Sequence, residues 1–261
     1  MIREIDGKFE VTFQMPEPTA LNFEKHGKLR LSNCKDFTQH KSQYLVPVVL
    51  HEFFTLAADF PLVFVRNSNS GDFVPAALMG LRKGVNLFCQ TPEWPATFIP
   101  STFMLPPFSA LRVQADTDEA VIAIDEESDL LSTSVGELMF DADGKYTPYL
   151  QKRIDQVIEV TRHSLQSLNL INYIAKMNLL KTGTLTLQFN ASAPKYELEG
   201  VYTIDEEAVQ KLNDEEYLEL RKRGLLPMIY SHLTSLHQLT RIIRLQQKLD
   251  QDEDSAAPGN A

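Results

Sequence analysis

A run of acidic residues follows a segment with the composition of a buried strand. Asp125, Glu126 and Glu127 come directly after the apolar residues 121–124. Carboxylates at the end of a strand often hold a metal ion or act as a general base, although the same run also suits an ordinary solvated turn. Catalysis here would need a histidine brought close by folding, and His51 and His232 are the candidates.

His51 and Glu52 begin like the zinc-protease signature HExxH, in which two histidines one helical turn apart bind the metal ion. Thr55 occupies the position of the second histidine. The signature is therefore incomplete, and the favoured interpretation of His51 is structural.

A second incomplete motif resembles a calcium-binding loop. Asp141 and Asp143 precede Gly144, but a calcium loop needs its glycine at the sixth position and a glutamate at the twelfth. Here Tyr146 and Lys152 occupy those positions. A turn that leads into a helix accounts for the same residues.

The C-terminal region carries two histidines and a basic stripe. His232 and His237 are five residues apart, about 140° around a helix, so they cannot readily share a metal ion. His237, Arg241 and Arg244 recur at helical spacing together with Lys248. This stripe suits an anionic ligand or an acidic partner, although on so acidic a chain internal charge pairing is favoured. No metal ion or cofactor is predicted.

Residues 91–108 combine prolines with aromatic side chains, among them Trp94, Phe98 and Phe103. The segment is too rich in proline for a central strand and too aromatic for an ordinary solvated linker. We expect it to pack across a sheet and to present an apolar docking surface for a protein or peptide partner.

The elements that would position these residues are those of an α+β protein. The pattern predicts a largely antiparallel sheet, made of a meander and a C-terminal hairpin, with one long central helix and a helical C-terminal region. Strands are predicted at residues 9–15, 28–31, 62–65, 74–81, 85–89, 111–113, 121–124, 185–189 and 198–204. Helices are predicted at residues 47–59, 148–179, 213–223 and 227–249.

Capping residues support several of these boundaries. Thr147 is placed as an N-cap with Pro148 at the first helical position, where proline is tolerated. Asn213 and Glu216 form a capping-box pattern, and Gly224 is suited to end the helix that begins there.

We predict one folded domain over residues 1–250, followed by a disordered tail at 251–261, although the length alone also suits two small domains. With 261 residues and 43% hydrophobic content the chain can bury a sizeable core. The last residues are acidic, then small and polar, a composition typical of disorder.

Charge and hydrophobicity limit the partners and the compartment. The 35 acidic residues exceed the 25 basic ones, which disfavours nucleic-acid binding. Cys34 and Cys89 form no CxxC pattern and are interpreted as reduced thiols. The start of the chain lacks the apolar run of a signal peptide, and no segment has the length of a membrane span. We therefore expect a soluble, cytoplasmic protein without direct membrane insertion.

The longer blocks of the sequence resemble the SapC family of bacterial proteins over about residues 20–245. The matching stretches, in order, are LNFEKHGKLRL, VPVVLHEFFTLAADFPLVFV, LMGLRKGVNLF, FIPSTFMLPPF, IDEESDLL, GELMFDADGKYTPYL and LEGVYTIDEEAVQKLNDEEYLELRKRGLLPMIYSHLTSLHQLTRI. The resemblance implies a link to a bacterial surface-layer locus and to neighbours such as outer-membrane receptors, tryptophan halogenases and cupin-like oxygenases. It implies no set of catalytic residues.

Three functions follow as hypotheses. The leading one is a non-catalytic accessory or binding protein that acts with systems for the assembly, export or modification of peptides or surface proteins. The second is an enzyme that modifies a peptide or small molecule with distant carboxylates and histidines; the phosphate-binding loops and the GxSxG elbow are absent from the sequence. The third is a structural component of a surface layer, and a small homo-oligomer is a further expectation.

Overall fold

A computed structural model describes residues 1–5, 8–11, 19–33, 36–112, 120–188 and 195–256 of the chain. Over these residues the protein combines α-helices with antiparallel sheets, which confirms the predicted α+β class. The strands are β1 (Ile2–Ile5), β2 (Lys8–Val11), β3 (Thr19–Ala20), β4 (Arg30–Leu31), β5 (Leu45–Pro47), β6 (Leu62–Arg66), β7 (Phe73–Leu78), β8 (Phe108–Arg112), β9 (Ala120–Ile124), β10 (Leu131–Ser132), β11 (Glu137–Leu138), β12 (Leu180–Thr182), β13 (Leu185–Leu187), β14 (Tyr196–Leu198) and β15 (Val201–Ile204). The α-helices are α1 (Phe23–His26), α2 (Phe53–Leu56), α3 (Pro148–Lys176), α4 (Glu206–Gln210), α5 (Asp214–Lys222), α6 (Leu225–Ser235) and α7 (Leu239–Ala256).

The chain forms two compact units. The first comprises Met1–Val11, Asp36–Pro100 and Gln166–Ala261, and the second comprises Thr12–Lys35 and Ser101–Leu165. Helix α3 therefore contributes its first part to the second unit and its last part to the first. The single domain expected over residues 1–250 stays a prediction.

The first unit is built on a five-stranded antiparallel sheet with the order β12-β15-β6-β7-β5. Residues 62–65 of the central strand β6 are fully buried, as their continuous apolar sequence predicts. Helix α6 contacts β6 and β15. Its Ser235 hydroxyl accepts the backbone N–H of Leu62 at 2.9 Å, and its His232 Nε2 accepts that of Ile204 at 3.0 Å. These two bonds fix how α6 lies on the sheet.

The second unit contains the sheets β3-β9-β8 and β10-β4-β11. Its buried core includes Leu31, Ile124 and Met139 together with Leu150 on the first turn of α3. The Thr147 hydroxyl accepts the N–H of Leu150 at 3.2 Å, so the predicted N-cap of α3 is confirmed.

The segment after residue 44 is less helical than predicted. In place of a helix over residues 47–59, the chain has strand β5, a 3₁₀ turn at Leu50–Glu52 and the single turn α2. The β-branched Val46 favours a strand here, and Pro47 pairs opposite Ala76 at the end of an edge strand, where proline is tolerated.

The third strand of the predicted meander, at residues 85–89, is not formed. The side chain of Asn86 accepts the backbone N–H of Phe88 at 2.9 Å, which closes a local turn. The predicted C-terminal hairpin is confirmed by the pairing of β13 with β14.

The last predicted helix is divided into two helices. Helix α6 begins at Leu225, after Gly224 in the left-handed conformation, and a 3₁₀ turn separates it from α7. Helix α7 continues to Ala256, so residues 251–256 are helical where a disordered tail is predicted. Arg82 binds both oxygens of Glu253 at 2.9 Å and supports this extension. Residues 257–261 lie outside the described part of the chain.

Candidate functional site

An apolar groove lies between α2 and α6 in the first unit. It consists of two hollows with volumes of about 300 and 440 Å³. The smaller hollow lies toward the start of α6, and its lining includes Leu50, His51, Leu170, Arg223, Leu225 and Met228. The larger hollow lies toward the end of α6, and its lining includes Ala57, Ala58, Tyr230 and Thr234. Phe54, Pro227 and Ser231 border both hollows.

Helix α2 supplies one wall of the groove and an exposed aromatic side chain. Phe53 and Leu56, three residues apart, share one face of the turn and are each 1% exposed. Phe54 follows Phe53 directly and lies about 100° further around the helix, so it cannot join that buried face. It is 81% exposed.

Helix α6 supplies the other wall. Its inner face is buried against the sheet and includes Met228, Ile229 and His232. Its outer face is exposed, and Tyr230 on that face is 49% exposed. Because His232 and Ser235 bond the sheet backbone, the outer face is held in a fixed position beside α2.

Basic side chains lie at one end of the groove. Arg223 and His51 lie at the smaller hollow, and none of the described residues lining either hollow is acidic. Arg223 donates from Nε and Nη2 to Glu219, each at 2.8 Å, and its guanidinium lies 4.2 Å from the ring centroid of Tyr173. On a chain with 35 acidic residues against 25 basic ones, this lining differs in charge from the average surface.

The aromatic, proline-rich loop at residues 91–100 is held by one buried carboxylate. Asp59, whose side chain is 7% exposed, accepts the N–H groups of Thr97 and Phe98 at 2.9 Å each. Arg241 donates to Asp59 at 3.1 Å and to a carbonyl of the loop at 3.0 Å. The Asp59 carboxylate and the Arg241 guanidinium therefore bind each other and the backbone of this loop.

The predicted docking aromatics have different environments. Trp94 is half-buried, and its Nε1 donates to the carbonyl of Phe98 at 3.0 Å. The Trp94 ring packs against a cluster of phenylalanine rings at centroid distances of 5.4 to 6.2 Å, namely Phe37, Phe60 and Phe88. Phe98 is 37% exposed, whereas Phe103 is 2% exposed in the second unit. The structure thus brings Trp94 and Phe98 together and places Phe103 in a core.

The predicted carboxylate run contacts a histidine other than those expected. Glu126 Oε1 lies 2.8 Å from His26 Nε2 and 2.6 Å from Lys25 Nζ. Lys25 first, and then His26, hold the pKa of Glu126 below its usual range. Asp125 accepts the N–H of Glu127 at 3.1 Å and so forms a local turn.

His26 is 1% exposed, and both of its ring nitrogens have protein partners. Nε2 faces Glu126, and Nδ1 lies 3.1 Å from the backbone nitrogen and 3.0 Å from the backbone oxygen of Asn22. A general base must reach its substrate's proton. This pair instead ties α1 to the turn after β9.

The two histidines named as catalytic candidates lie in the first unit. His51 is exposed at the smaller hollow of the groove. His232 is fully buried, and its ring lies 5.0 Å from that of Phe64. Burial lowers the pKa of His232 to about 3, although the backbone of Leu62 opposes the shift. A buried neutral imidazole of this kind suits a structural role.

The basic stripe has been divided by the break between α6 and α7. His237 lies in the 3₁₀ turn and is exposed, as is Arg244 on α7. Arg241 is the member that pairs with Asp59.

The residues after Asp141 form a turn that precedes helix α3. Asp141 Oδ1 accepts the N–H groups of Asp143 and Lys145 at 2.9 Å each. Within the described ranges, no group of three or more His, Cys, Asp or Glu side chains could hold a metal ion.

Sequence reasoning did not identify the groove, although one signal for it exists. Val49, Phe53 and Leu56 form a buried apolar stripe. Phe54 does not belong to this stripe and is a large aromatic residue on the exposed side of the turn. Tyr230 lies outside the buried face of α6 in the same way. The contact between α2 and α6 cannot be read from the sequence, because the two helices are far apart in the chain.

The fold is that of an α+β protein with an apolar groove beside its main sheet. The family model for SapC matches residues 21–242, and the chain therefore belongs to the SapC family. No curated protein and no solved structure was found to match it. Across the described residues, none of the helices is both long enough and apolar enough to cross a membrane.

Proposed function

We propose that this member of the SapC family is a non-catalytic accessory protein that binds an apolar segment of a partner protein in the groove between α2 and α6. The observation that carries the proposal is Phe54, which is 81% exposed between two apolar hollows. Exposed aromatic side chains beside a concave apolar surface are typical of protein-binding sites.

The energetic reason is the burial of apolar surface. Covering a side chain such as Phe54 contributes about 1.5–3 kcal/mol. Tyr230, half exposed across the groove, adds a second aromatic anchor with a polar end. Aromatic residues of this kind are the side chains that dominate binding energy in many interfaces.

The lining favours binding over catalysis. General-base chemistry needs a titratable pair held within hydrogen-bond reach of a substrate. His51 is the histidine among the described lining residues, and no Asp or Glu side chain belongs to the lining of either hollow. The hydroxyls of Ser231 and Thr234 in the lining suit orientation of a bound segment.

The family supports a bacterial setting for this role. Membership of the SapC family is consistent with an accessory protein that acts in the cytoplasm with systems for assembly, export or modification of peptides or surface proteins. The partner in this proposal is a protein or peptide of such a system.

A photo-crosslinking amino acid at position 54 of the full chain tests the proposal in the source cells. We expect a discrete adduct with a partner protein, identified by mass spectrometry, that is lost when Tyr230→Asp is added. The matched control carries the crosslinker at Phe23, which is 44% exposed in the second unit.

The proposal fails if position 54 yields no adduct beyond that of position 23. It also fails if the adduct still forms in the Tyr230→Asp variant and this variant has the same free energy of unfolding as the wild-type chain. The groove would then not be the binding surface.

A further inference from the structure

The two hollows of the groove define the spacing of whatever occupies them. Leu225 and Met228 line the smaller hollow, and Tyr230 and Thr234 line the larger one. Because Pro227 and Ser231 line both hollows, the lining of the larger hollow is shifted by two to three residues along α6, roughly 3–5 Å at a rise of 1.5 Å per residue. Phe54 forms the ridge between them.

The walls of the groove decide the conformation of the occupant. The described lining residues lie on α2 and α6, on the turns next to these helices and on α3, and none of them belongs to a strand edge. An extended segment would find no strand edge to pair with among these lining residues, whereas a helical segment satisfies its own N–H and C=O groups. On a helix, side chains three or four residues apart lie about 4.5–6 Å apart along the axis, which is close to the offset of the hollows.

The charged residues of the lining indicate which charge the bound segment carries. Arg223 and His51 mark the end of the groove at the smaller hollow, and Arg221 and Lys222 just before Arg223 are exposed. No described lining residue would repel an acidic group. Arg223 already binds Glu219 in a partly exposed pair, so an incoming carboxylate can share or replace that partner.

We infer that the groove binds an amphipathic helix with two bulky apolar side chains one turn apart and an acidic side chain at the end that faces Arg223. This inference rests on the proposed function and adds the chemistry of its partner. The larger hollow, bordered by Tyr230 and two alanines, takes the bulkier anchor.

A panel of labelled synthetic helices of about 16 residues, about 24 Å long, tests it against the full chain by fluorescence anisotropy. The parent peptide carries a leucine and a phenylalanine at i and i+4 and a glutamate one turn before them, and a second parent carries the glutamate one turn after them. Each parent has three variants. The first replaces the glutamate by lysine, and the second moves the two apolar side chains to opposite faces of the helix. The third places a proline between the two apolar residues.

We expect one parent to bind best, each variant to bind about tenfold or more weakly, and the preference for glutamate to weaken with salt. In Arg223→Glu protein the lysine variant should become the better ligand. Lys211→Glu is the matched charge control, because the Lys211 side chain is 77% exposed away from the groove lining.

Equal binding of the glutamate and lysine peptides, or tighter binding of the proline variant, overturns the inference while a position-54 adduct still supports the proposed function. A dimer that forms at micromolar concentration and dissociates in Phe54→Asp, measured by sedimentation, also overturns it, since the occupant is then a second copy of the chain.

Discussion

His232 makes the stability of the first unit depend on pH. Its imidazole is buried, its Nε2 accepts the backbone N–H of Ile204, and burial lowers its pKa to about 3. The unfolded chain carries the same group near 6.5. Between these values the unfolded state binds a proton that the folded state does not, so stability falls as the pH falls below about 6.5 and the loss is complete near pH 3.

The size of the loss follows from the two pKa values. At pH 4.5 the unfolded imidazole is almost fully protonated and the folded one almost fully neutral, which corresponds to about 2–3 kcal/mol relative to pH 7.5. Carboxylates also titrate in this range. The expected quantity is therefore the part of the pH dependence that disappears when His232 is replaced.

The assay is urea denaturation of wild-type and His232→Gln protein at pH 7.5 and pH 4.5, followed by tryptophan fluorescence. Trp94 is the only tryptophan of the chain and lies in the same unit as His232. The variant is expected to be less stable at pH 7.5, and this difference should shrink by about 2–3 kcal/mol at pH 4.5. His237→Gln, at an exposed histidine, is the control.

A difference that stays constant between the two pH values, within about 0.5 kcal/mol, would refute this account of His232. His232→Asn provides a second variant if the glutamine side chain does not fit.

Three further results are expected. Phe54→Ser should change the free energy of unfolding by less than about 0.5 kcal/mol because the side chain is 81% exposed, whereas Phe53→Ala should lose about 3–5 kcal/mol. Asp59→Ala leaves two loop N–H groups unpaired, so urea denaturation should show a loss of about 2–4 kcal/mol together with red-shifted tryptophan emission. NMR titration should give the Glu126 carboxyl a pKa below 4.5, and Lys25→Met should raise it; an unchanged value would contradict the assigned cause.

Local signals in the sequence predicted the boundaries of several elements. The Thr147 cap of α3, the capping box of Asn213 with Glu216 and the left-handed Gly224 are all present, because each depends on contacts within a few residues. The buried strand β6 was equally predictable from its continuous apolar run.

Contacts between distant segments were not predictable in the same way. Glu126 meets His26 across 100 residues, and Asp59 meets Arg241 across 182. Sequence motifs describe residues that are close together in the chain, and neither pair meets that condition. The groove is of the same kind, since α2 and α6 are far apart in the chain and only the fold makes them neighbours.

The central claim is that a partner binds between α2 and α6, and hydrogen exchange tests it most directly. The full chain is compared with and without the purified partner identified by crosslinking. Slower exchange is expected in residues 50–58 and 223–235, with residues 91–100 unchanged. Slower exchange confined to residues 91–100 or to the second unit, with 50–58 and 223–235 unaffected, would contradict the claim.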